Sequence, residues 1–113
     1  MTPLQTEAER RENAVILRVT GEVDSYTAPL LHDHLAEVFT EAAGRAVVLD
    51  MTGVSFLASS GLSVLVEYHT RGVDEGTPLR VVAPAGSVLR ALRATTLNEM
   101  IELYGTVSEA LAG

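Results

Sequence analysis

The stretch that most constrains the fold is VVLDMTGVSFLASSGLSVLV, residues 47–66. It opens with Val47, Val48 and Leu49, an unbroken apolar run of the kind found in strands buried on both faces. Leu62, Leu65, Val66 and His69 then follow at helical spacing, which predicts a helix with an inward face from near Ser60 to close to Gly72. A strand that hands over to a helix calls for layered α/β packing, since the sheet must be covered. Ser59 and Ser60 fall at the junction. A serine there can cap the helix by accepting from backbone N–H groups of the next turn. The same place favours an anion, a phosphate on Ser59 included, because the helix end carries partial positive charge.

The rest of the chain alternates in the same way. Residues 4–10 read as a weak edge strand and 14–20 as a stronger one, with Val15, Leu17 and Val19 alternating with less apolar neighbours. Residues 21–26 read as a loop. Leu31, Leu35, Val38, Phe39 and Ala42 then share one helical face, and Gly44 stops that helix. A strand over 45–51 follows, and after the serine helix another over 79–82. Pro84 and Ser87 introduce a short helix with Val88, Leu89 and Leu92 inward, before a strand over 101–104 and a last helical turn over 108–111. Strands separated by helices imply a mostly parallel sheet, because parallel neighbours need crossover connections. The expectation is a small α/β domain with a four- or five-stranded mixed sheet, about four helices and an antiparallel edge, spanning residues 1–113 with its core over 4–112.

Composition narrows the function. With 113 residues and 47% apolar content the chain can bury one core. It holds no cysteine, so neither a disulfide framework nor a thiolate metal site is open to it. It shows no leader-like apolar segment and no run long enough to cross a bilayer, so a soluble, cytoplasmic protein without membrane contact is expected. The formal charge of −7, with eight scattered arginines as its basic side chains, argues against direct nucleic-acid binding.

Asp50, Thr52, Val54, Phe56, Ser59, Gly61 and Leu62 spell D-x-T-x-V-x-F-x-x-S-S-G-L. That pattern resembles the signature of the STAS domain, in particular that of bacterial anti-sigma factor antagonists. Val19-Thr20-Gly21-Glu22-Val23-Asp24 with Thr27-Ala28-Pro29-Leu30 is similar to a second block of that family, at a similar distance from the serines. The resemblance implies a switch. Its unphosphorylated form binds an anti-sigma factor with serine kinase activity and so frees a sigma factor. Phosphate on Ser59, with Ser60 as second choice, ends the binding, and a PP2C-type phosphatase restores it. It also implies a partner surface made of Glu22, Asp24, Ser25, Tyr26 and Thr27 from the first loop, and of Phe56, Ala58, Ser60, Gly61 and Leu62 around the acceptor. Ala58 departs from the family, in which an acidic residue commonly precedes the serine. Ser25 or Thr27 also reads as a cap of the helix that follows. Gly61 either lets a kinase or phosphate approach or relieves crowding in the turn.

Two other classes follow from the same residues. A STAS module can serve a scaffold or a transport assembly without reversible phosphate. A serine-dependent enzyme would need a base beside the serine, and the G-x-S-x-G elbow is absent. His69 reads as a core histidine. His32, Asp33 and His34 are adjacent on a predicted helix, and residues two apart diverge, so a solvated face rather than a metal site is expected. Neither glycine-rich phosphate loop can be written along the chain, and no cofactor is expected.

Overall fold

The structure, a computed structural model, describes residues 3–113. The first two positions of the expected domain therefore lie outside the described residues. Five strands form one sheet in the order of the sequence: β1 (Gln5–Arg10), β2 (Ala14–Val23), β3 (Ala46–Leu57), β4 (Leu79–Val82) and β5 (Glu102–Tyr104). β1 pairs antiparallel with β2, and the other pairings are parallel. The expected mixed α/β sheet is present.

Helices α1 (Ala28–Ala42), α2 (Ser59–Glu75) and α3 (Ser87–Ala94) make the crossovers. Their apolar faces join Val15, Leu17, Val19, Val47, Leu49, Leu79 and Val81 in the main core. Alternate residues of the same strands, Ile16, Val48 and Val82, pack on the other face against Ala110 of α4 (Val107–Ala112). β3 is thus buried from both sides, which accounts for its unbroken apolar start.

Several boundaries differ from the sequence reading, each for a tertiary reason. β2 runs on to Val23 and β3 to Leu57, where a loop and an early strand end were expected. Each extension supplies the other's partner, with Gly21 opposite Val54 and Val23 opposite Leu57, across two bulges. Gly21 takes φ +108°, and a Cβ there would lie 2.3 Å from the Pro3 carbonyl oxygen.

α2 passes through Gly72 and ends at Gly76, which adopts the left-handed cap at φ 71°. Gly72 is needed for closeness instead, since its Cβ would meet the Thr77 carbonyl oxygen at 2.3 Å. The buried stripe of α2 is Gly61, Val64, Leu65, Tyr68 and Gly72. Of the expected inward set only Leu65 is fully buried; Leu62, Val66 and His69 lie at its margin, because two glycines turn the helix's thin side to the sheet. In α3, Val88 and Leu92 are buried and Leu89 is half-buried. A short 3₁₀ turn, Leu97–Glu99, was not foreseen.

Candidate functional site

Parallel strands bring the carboxyl ends of β2, β3 and β4 to one edge of the sheet. The Ala58 N–H donates to the Val23 carbonyl at 2.8 Å, so the entrances of α1 and α2 lie side by side. The helical crossovers share one face and strand order never reverses, so the fold lacks the crevice where doubly wound sheets bind small ligands. The edge is a surface.

At the α2 entrance the N-cap position belongs to Ala58, in extended conformation at φ −84° and ψ 170°. Alanine offers no oxygen, and no side chain caps the helix. Ser59 is the first helical residue and is exposed. A serine in the first turn of the helix lies beyond the cap position, so its hydroxyl is left for solvent. Ser63 Oγ donates to the Ser59 carbonyl at 3.1 Å, an ordinary bond one turn on. Ser60 is half-buried, and its hydroxyl oxygen is enclosed without a hydrogen-bond partner. Gly61 is buried: an added Cβ would lie 2.4 Å from Leu57 Cδ1 and 2.6 Å from Val23 Cγ1. Packing under the serines is reason enough for this glycine.

The loop before α1 is organised by Asp24. Its Oδ1 accepts from the N–H groups of Tyr26 (2.9 Å) and Thr27 (3.0 Å), which hold the carboxyl below the usual carboxylate range. Thr27 occupies the N-cap position, yet its buried hydroxyl turns back, accepting from Asp24 N–H at 2.9 Å and donating to the Glu22 carbonyl at 2.8 Å. The capping expected of Ser25 or Thr27 is thus replaced by an aspartate-centred turn. Ser25 is exposed, and Tyr26 at the tip is 81% exposed.

Phe56, opposite Glu22 across the β2 and β3 ladder, is 48% exposed, and Leu30 in the first turn of α1 is 49% exposed. Three large apolar side chains thus reach solvent along the edge that carries Ser59. Phe56 was expected on the partner surface from the resemblance, whereas Leu30 stood in the second block without a contact role. An outward residue at a helix start and a strand residue beside a bulge carry no periodic signal.

The histidines lie elsewhere. His69 is ten residues along α2 from Ser59, roughly 15 Å at the rise of an α-helix. It faces a cavity of about 270 Å³ with Val73, Pro78, Leu79 and Glu102. His32, expected on a solvated face, instead links two helices. Its Nε2 lies 2.8 Å from Glu67 Oε2, and Tyr68 Oη donates to its carbonyl at 3.1 Å. Glu67 and then Asp33 raise the imidazole above its ordinary pKa. Among the described residues no group of three potential ligands gathers for a metal ion. Nor, among the described residues, is any helix long and apolar enough to cross a membrane.

A family model described as the STAS domain matches residues 5–110. An anti-sigma-F factor antagonist of Mycobacterium tuberculosis is 30% identical over 98 residues, spanning 87% of this chain and 79% of that protein. An anti-sigma-B factor antagonist of Listeria monocytogenes is 30% identical over 101 residues, spanning 89% and 88%. Among solved structures, the crystal structure of an anti-sigma factor antagonist from Mycobacterium paratuberculosis superimposes with a TM-score of 0.88 at 30% identity. It covers 97% of this chain and 92% of that one.

Proposed function

The chain belongs to the STAS domain family, and we propose that it is an anti-sigma factor antagonist switched by phosphate on Ser59. In the unphosphorylated form it binds an anti-sigma factor with serine kinase activity, and the sigma factor held by that protein is released. Phosphorylation ends the binding, and a PP2C-type phosphatase reverses it. The relatives' names support the antagonist role. The observation that carries the switch is the Ser59 hydroxyl, exposed and free of any capping duty at the entrance of α2.

Phosphate at this position adds about −1.5 to −2 charges. The helix end tolerates them, since an anion in the first turn is stabilised by about 0.3–1 kcal/mol. A partner seated on the apolar rim of Tyr26, Leu30 and Phe56 meets instead a bulky, hydrated dianion near the carboxylates of Glu22 and Asp24. Loss of the complex without loss of the fold is the expected effect. Asp24 is a part of the loop's own architecture, so its reversal disturbs the turn together with any contact. Tyr26, at the exposed tip, is the cleaner contact residue.

Incubation with the cognate kinase and ATP should add one phosphate, found on Ser59 by peptide mass spectrometry. Ser59→Ala should lose labelling and keep kinase binding, and Tyr26→Ala should keep its melting temperature while binding more weakly. Equal labelling of Ser59→Ala and wild type would move the acceptor to Ser60, and a chain that binds no anti-sigma factor would refute the reading.

A further inference from the structure

The arginines divide into two groups. Arg10, Arg11, Arg18, Arg71 and Arg80 each meet a glutamate. Arg45 donates to the carbonyls of Arg11, Glu41 and Ala42. Arg90 and Arg93 meet no carboxylate among the described residues, although the chain carries fifteen acidic side chains. Both are exposed, and both lie on α3, three residues apart.

α3 is fixed to the functional edge. Ser87 Oγ donates to the Ser55 carbonyl at 2.8 Å, the residue before exposed Phe56, and Arg90 Nη2 donates to Ser87 Oγ at 3.3 Å. Arg93 lies on the other flank, lining a groove of about 230 Å³ with Pro84, Leu89, Leu103 and Tyr104, past the carboxyl ends of β4 and β5. The two guanidinium groups therefore reach in different directions from one helix and do not converge on a single point. A lone phosphate would use only one of them. An extended segment with one carboxylate for each cation and an apolar side chain beside the second matches both arginines and the groove that Arg93 lines.

We propose that the outer face of α3, with Arg90, Arg93 and this groove, is a second contact of the partner surface, and that it takes an acidic segment of the anti-sigma factor. This rests on the antagonist reading above. An exposed pair of arginines acts chiefly through the rate of encounter and the alignment of partners, and its effect falls as salt screens it.

The test uses the full unphosphorylated chain against the purified anti-sigma factors of its own organism, with affinity measured at low and high salt. The variants are Arg90→Glu/Arg93→Glu, Arg90→Ala/Arg93→Ala, and Arg93→Glu paired with Arg11→Glu. Arg11 lies at the opposite end of the sheet and makes the same change of charge. Melting curves establish that each variant folds. The double reversal should weaken binding about tenfold or more at low salt. The double alanine should lose part of the salt dependence, and Arg93→Glu should lose affinity where Arg11→Glu keeps it.

Tight binding by wild type and double reversal alike would overturn the α3 contact and leave the antagonist reading standing. Failure of the wild type to bind any anti-sigma factor would overturn both. Saturable shifts of the α3 amide resonances when the free chain is titrated with inorganic phosphate would assign the cations to a small anion and overturn the acidic segment.

Discussion

Gly61→Ala isolates why a glycine stands two residues after Ser59. The added Cβ would lie 2.4 Å from Leu57 Cδ1 and 2.6 Å from Val23 Cγ1, against about 3.5–4 Å for carbon atoms at rest. Leu57 can swing its far methyl aside. Val23 is stiff at χ1 and fully buried at the end of β2, so it yields only if the backbone shifts. Overpacking of this kind costs about 1–3 kcal/mol. With two contacts this short, one of them to a stiff side chain, the upper part of that range, about 2–3 kcal/mol, applies; alanine gains up to about 1 kcal/mol over glycine in a helix, so the net loss should be about 1–2 kcal/mol. At about 4–8 °C per kcal/mol for a chain near this size, thermal unfolding followed by circular dichroism should shift down by roughly 4–16 °C. Val23→Ala removes the opposing methyl groups. In a double-mutant cycle the two changes should therefore cost less together than their sum, with coupling of about 0.5–2 kcal/mol. A Gly61→Ala protein that melts at or above the wild-type temperature would refute the packing argument. The glycine would then belong to the approach of the kinase, with phosphorylation of Ser59 as the property lost.

Two further outcomes follow from the same entrance and its neighbouring helices. Ala58 has the extended backbone of an N-cap and no capping atom; Ala58→Asp should raise stability by about 0.5–2 kcal/mol, seen as a higher urea midpoint, and an unchanged midpoint would show that the carboxylate cannot reach the N–H groups of the first turn. His32 is held above its ordinary value of 6.5 by Glu67, with Asp33 adding. Since the folded-state value is the higher one, the stability it contributes is full below about pH 6.5 and fades as pH rises through the raised value. Glu67→Gln should flatten that decline in urea titrations across neutral pH, and a decline equal to wild type would assign it to another group.

The order of elements, the mixed sheet, the inward face of α1 and the serines at a helix entrance were legible in the sequence, because each rests on local periodicity or on a motif in contiguous residues. Leu31, Leu35, Val38, Phe39 and Ala42 recur at the spacing of a helix, and all are buried. Val47 to Leu49 is apolar without a break because helices lie on both sides of it. Such patterns are written into the chain by the geometry of one element against a flat neighbour.

What tertiary structure alone decided is how the elements meet. The ends of β2 and β3 are strands because each pairs with the other across bulges, and neither alternates cleanly enough to show it. Gly72 looked like a stop, yet it is a close contact with Thr77, while Gly76 ends the helix. Ser25 and Thr27 have the chemistry of caps, but Asp24 holds the turn because folding brings its carboxylate within reach of two backbone donors. Arg90 and Arg93 read as two of eight scattered cations until the fold gave the others carboxylate or carbonyl partners and left this pair without either on the helix that is tied to the Ser55 carbonyl. A sequence fixes what each side chain can do at the range of a turn or a helix. Pairing, burial and electrostatic neutralisation depend on residues tens of positions away, and only the folded chain brings these together.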